Sequence, residues 1–155
     1  MFNRIKNPVI RNIVYAAIIM LGGFLLFNVA FLLAALVTTG ISLLLRLSID
    51  SQPPTIFSLV LFVLLLIAAS YFVLKSKLNH LIKATFLTMP LMSLLISIGV
   101  LLYEQPRYVP ISIGAVVIAI IAGFFYRKKM PWMYYFAEVY VAALALYIVL
   151  AGIDI

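Results

Sequence analysis

The chain has 155 residues, of which 67% are hydrophobic and 10% charged, with no cysteine and a formal net charge of +7. So little polar surface excludes a water-soluble globular fold, and the missing cysteines exclude disulfide frameworks and thiolate metal sites. The basic residues sit beside apolar runs, so anionic lipid headgroups are a simpler partner for the charge than nucleic acid.

Residues 1–12 carry Arg4, Lys6 and Arg11 and resemble the charged start of a signal peptide. The apolar run after them is too long for one and lacks a convincing cleavage site, so it reads as a retained anchor. Pro8 is expected to interrupt any helix there, which puts the helix start near Asn12 as a cap. Residues 13–45 then hold no charge at all. As one helix they would run about 50 Å, against a hydrocarbon core of about 30 Å. Two spans of about sixteen residues each would be too short and would have no polar turn between them. The stretch is therefore one span, 13–36, with a helical extension to 45. Gly22-Gly23 is a place for a bend and Gly40 for an exit. Asn28 falls mid-membrane, where an interhelical hydrogen bond or a ligand or ion contact would satisfy it. Ala30 and Ala34 form a small-xxx-small pair.

Arg46 and Asp50 follow, and Pro53-Pro54 ends the extension in a stiff turn. Thr55 can cap the next helix. The second span, 56–74, is dense in Leu, Val and Ile and mostly faces lipid; Tyr71 lies near its end and Lys75 just beyond. Residues 75–83 carry Lys75, Lys77, His80 and Lys83 among apolar residues and read as an amphipathic turn on the membrane surface. The third span, 84–102, contains Pro90, which should kink it and free the Phe86 carbonyl. Ser93 and Ser97, four apart, share a face beside that kink, either as ordinary packing or as a polar transport lining.

A short loop holds Glu104 and Arg107 between Tyr103 and Tyr108, the tyrosines fitting an interfacial belt. Glu104 and Arg107, with Arg46 and Asp50, make a candidate external patch, read as screened ion pairs or as a recognition surface. Pro110 suits the first turn of the fourth span, 109–126. Its Ala115, Ala119 and Gly123 recur every four residues, which makes this helix the candidate for the centre of the bundle. Arg127-Lys128-Lys129 closes it, and the fifth span is 132–151.

Five spans put nine of the eleven basic residues on one side: Arg4, Lys6, Arg11, Lys75, Lys77, Lys83, Arg127, Lys128 and Lys129. The other side holds Arg46, Arg107 and three of the four acids. The excess of positive charge places the N-terminus in the cytoplasm and the C-terminus outside.

Glu138 is the only acid inside a span. A carboxylate at that depth is costly unless it is paired, protonated or wet. Tyr15, Tyr71, Lys75, Thr85, Thr88 and Tyr126 lie at matching depths, and Ala142 and Ala145 share its face. Three roles compete: an internal structural pair, a site for a proton, cation or amine, and a contact with a partner subunit. Activated serines, paired intramembrane aspartates and glycine-rich phosphate loops are all missing, and His80 is the single histidine. No cofactor or metal is expected.

The expected architecture is all-α: one domain of five transmembrane helices in the plasma (inner) membrane. Two functions stay open. One is a non-catalytic subunit, assembly or regulatory protein of a larger membrane complex. The other is a small oligomeric transporter or channel using Glu138, with Asn28, Ser93, Ser97, Tyr71 and Lys75 as further polar candidates. The expected partners are membrane lipids with anionic headgroups on the cytoplasmic side, and copies of itself or other membrane subunits.

Overall fold

The computed structural model describes residues 7–44 and 55–151. Five helices make up the described residues: α1 (Pro8–Leu44), α2 (Thr55–Lys75), α3 (His80–Leu101), α4 (Tyr108–Arg127) and α5 (Trp132–Ala151). Pro8–Leu36 of α1, and all of α3, α4 and α5, are long and apolar enough to cross a membrane. Phe62–Lys75 within α2 is apolar over a shorter length.

α1 is one helix of 37 residues, about 55 Å long at ~1.5 Å per residue. It begins earlier than expected. The Asn7 side chain accepts the Val9 N–H at 2.9 Å, and Pro8 occupies the first turn, where its missing N–H goes unused in any helix. Pro8 therefore starts the helix instead of interrupting it. Gly22-Gly23 does not end or break the helix either. Its glycines serve close approach: a Cβ at Gly22 would stand 2.9 Å from Thr85 Cγ2, and one at Gly23 would overlap the Thr88 hydroxyl.

α3 is the centre of the bundle and packs against all four other helices. It starts at His80, four residues before the expected boundary, because Asn79 caps it: Asn79 Oδ1 accepts the Leu81 N–H at 3.3 Å. The expected surface turn before residue 84 is thus the first turn of α3, with Leu81 buried. Polar side chains are tolerated in this core helix because they bond along it. Thr85 Oγ1 donates to the Leu81 carbonyl at 2.9 Å and Thr88 Oγ1 to the Thr85 carbonyl at 2.7 Å. The helix continues through Pro90, with residues 87–93 all buried.

α4 is not the central helix. Phe125 is its single buried residue, Ala115, Ala119 and Gly123 are exposed, and a Cβ at Gly123 would meet nothing within 4 Å. Small side chains permit close approach, but among the described residues nothing closes on Gly123.

Contacts between distant residues set the directions. His80 Nδ1 lies 3.3 Å from the Tyr134 hydroxyl, so α3 and α5 start at one end. Tyr140 donates to the Met20 carbonyl at 3.5 Å, which aligns α1 with them. Lys83 Nζ donates to the Leu74 carbonyl at 2.7 Å, tying the last turn of α2 to the first turn of α3. Phe125 packs on Tyr134 with ring centroids 5.8 Å apart. α2 and α4 therefore run against the other three. α4 ends at Arg127, and in the turn after it Lys129 takes a φ of 49° while the Met130 N–H reaches back to the Phe125 carbonyl at 3.1 Å. Arg11, Lys75, Lys77, Lys83, Arg127, Lys128 and Lys129 gather at this end of the bundle, and Glu104 and Arg107 lie at the other. Arg4, Lys6, Arg46, Asp50 and Asp154 lie outside the described residues.

Candidate functional site

Glu138 sits on the face of α5 formed by Tyr134, Ala137, Glu138 and Val141, all buried. It is 2% exposed, and its Oε1 has no hydrogen-bond partner among the described residues. The carboxyl group lies against the Ala122 backbone of α4. Lys75, one of the residues at matching depth, is elsewhere: its side chain is exposed and stands over the Tyr71 ring, 4.5 Å from the centroid. Placing a carboxyl among apolar helices without a cation is unfavourable, which makes this the most unusual polar group in the bundle.

One turn further along the same face, α3, α4 and α5 diverge. Leu95, Ile98 and Gly99 of α3, Ile111, Gly114, Ala115, Ile118 and Ala119 of α4, and Ala142, Ala145 and Val149 of α5 line a groove of about 380 Å³. Its wall is almost entirely apolar, and Gly99, Gly114, Ala115, Ala119, Ala142 and Ala145 are among its lining residues. The Ala115 and Ala119 stripe thus faces the groove instead of packing tightly on another of the described helices. Ala142 lies four residues beyond Glu138, about 6 Å along the axis, so the acid is one helical turn from a residue that lines the groove.

The other polar candidates do not join Glu138. The His80–Tyr134 contact sets Glu138 level with Ala84. Ser93 is nine residues further along α3, about 13 Å away in depth. Ser93 and Ser97 are buried, and their hydroxyls have no partner among the described residues. Neither lines the groove. Asn28 is exposed, and its amide donates to the Phe24 carbonyl of its own helix at 2.7 Å. Among the described residues it makes no bond to another helix. Tyr71 is exposed on α2. Glu104 and Arg107 are exposed in the turn between α3 and α4, while their suggested companions Arg46 and Asp50 fall outside the described residues. Among the described residues, no group of three or more His, Cys, Asp or Glu comes together.

Sequence reasoning missed the His80–Tyr134 link. His80 is exposed, as a surface histidine should be, yet its ring meets Tyr134 edge-on with centroids 6.0 Å apart. The partners are 54 residues apart, and no local pattern announces such a pair.

The helices and their composition define an all-α chain with four stretches of spanning length and apolarity, which points to a membrane protein. No family model matches the chain, and neither a curated protein nor a solved structure matches it.

Proposed function

We propose that this chain is a non-catalytic integral membrane subunit, assembling with or regulating other membrane chains. The observation that carries this is the groove between α3, α4 and α5. In a bilayer, helices associate through small residues that let backbones approach. α4 offers Ala115 and Ala119 in that way, and among the described residues no helix fills the groove before them. A transmembrane helix from another chain, seated there, would bury the face of α4 that this fold leaves open. All five helices cross the membrane in this reading. The basic end faces the cytoplasm and its anionic headgroups, and the Glu104–Arg107 turn faces outward, as expected of a plasma membrane protein.

The test is purification in mild detergent, comparing the wild type with Ala119→Phe, which fills the groove. The wild type should carry other membrane chains in constant proportion. The variant should lose them while keeping its own thermal stability. A wild type that purifies alone, or a variant that retains the same companions, refutes the reading. Sidedness is tested separately, because the chain has no cysteine. A single cysteine at Lys128 should react with an impermeant maleimide only after the cells are opened, and one at Glu104 in intact cells. The reverse pattern refutes the orientation.

Glu138 supports a second reading, transport. A buried carboxyl without a cation can take up and release a proton, a metal cation or an amine. Glu138→Gln keeps the shape but cannot titrate. It should abolish proton- or cation-coupled flux in reconstituted vesicles, and unchanged flux would remove Glu138 from any transport cycle.

A further inference from the structure

α1 leaves one side almost bare. Between residues 8 and 36 only Ile19 and Gly23 are buried. Gly22 and Gly23 turn toward Thr85 and Thr88 of α3. Leu21, Phe24, Asn28 and Phe31 lie on the opposite side at spacings of three and four, and all are exposed. Asn28 is five residues beyond Gly23, about 7.5 Å further along the axis. That puts it near the level of Leu91, midway along α3. At this depth the surroundings are hydrocarbon, which offers no hydrogen bonds. The Asn28 amide uses one N–H on the Phe24 carbonyl. Its oxygen and its second N–H are left without a partner among the described residues.

We propose that two copies of this chain pair through this side of α1, with the two Asn28 amides hydrogen-bonded to each other. Three features favour a second copy over an unrelated helix. Copies inserted in the same direction pair about a two-fold axis along the membrane normal. That axis brings every α1 residue to the depth of its counterpart, so Asn28 meets Asn28 without adjustment. A carboxamide is complementary to itself, because each oxygen accepts the other's N–H. Finally, the stripe has the seam spacing of a parallel helix pair, in which one asparagine among apolar residues sets register and partner number. This pairing is independent of the groove, which opens between α3, α4 and α5.

The experiment uses single cysteines in the cysteine-free chain, oxidised in native membranes. Phe24→Cys and Phe31→Cys should give a disulfide-linked product of twice the 17.3 kDa chain. Leu33→Cys, on the other side of α1, should give far less. Adding Asn28→Leu should weaken the dimer roughly 3- to 30-fold, the range expected for interhelical hydrogen bonds in membranes. The monomer's thermal stability should not change, because the side chain is exposed. Asn28→Gln, also an amide, should restore most of the pairing. Equal yields from Phe31→Cys and Leu33→Cys overturn the proposal. So does an Asn28→Leu variant that dimerises like the parent, or a cross-linked product containing a different protein. Ala119→Phe should leave the cross-link intact, so failure of the groove reading and failure of this one are separable.

Discussion

Two identical substitutions should move stability in opposite directions. Gly23→Ala places a methyl group onto the Thr88 hydroxyl and 3.0 Å from both Thr88 Cβ and Cγ2. The Cβ is fixed to the α3 backbone, so no rotamer change can clear it; the helices must separate. Overpacking of this kind costs about 1–3 kcal/mol. Turning the threonine aside would also break its bond to the Thr85 carbonyl, worth about 1 kcal/mol. Alanine returns only about 0.5–1 kcal/mol through better helix propensity. The net loss should be about 2 kcal/mol. Gly123→Ala adds the same methyl group where nothing lies within 4 Å. There the propensity gain stands alone, and stability should rise by about 0.5–1 kcal/mol. Thermal unfolding of both purified variants in one detergent, beside the parent, reads the difference. Thr88→Ala in the Gly23→Ala background should recover part of the loss, since it removes two of the three crowded atoms. Equal midpoints for the two glycine variants, or a damaging Gly123→Ala, would refute the packing of α1 on α3 described above.

Tyr134→Phe should cost about 0.5–1.5 kcal/mol by removing the hydroxyl that meets His80. Tyr140→Phe should cost less, because its bond to Met20 is at the long limit of 3.5 Å; the same thermal assay compares them. Lys129→Gly should stabilise the chain by about 1 kcal/mol, because glycine adopts a positive φ without the Cβ penalty. A midpoint unchanged or lowered by that substitution would contradict the turn geometry after α4.

The helices were legible because apolar runs of spanning length, broken by prolines and charges, leave few ways to divide such a chain. The boundaries moved where a cap outside the run decided them. Asn79 starts α3 at His80, and Asn7 starts α1 at Pro8. The centre of the bundle was not legible. A repeat of small residues says that a face permits close approach, and it does not name the helix that comes near. Gly22 and Gly23, read as a bend, make the tight contact, while the regular stripe on α4 lines a groove. The core position of Thr85 and Thr88 was hidden because their polarity is satisfied within α3. The isolation of Glu138 as an acid within a span was plain from composition. Its distance from Ser93 and Asn28 emerged only from the helix register.

The central place of α3 has a consequence for biosynthesis. A ribosome delivers α1 and α2 before the helix on which both rest, and α5, which also touches α1, comes last. Until α3 is made, Gly22 and Gly23 have no threonines to meet. Until α5 is made, His80 has no Tyr134 to meet and the Met20 carbonyl no Tyr140. The contacts of α1 and α2 with α3 therefore form only after both of those helices have been made, and the contacts of α5 form later still. A chain stopped after α4 would hold α1, α2 and α3 without the Tyr134 and Tyr140 contacts that α5 supplies.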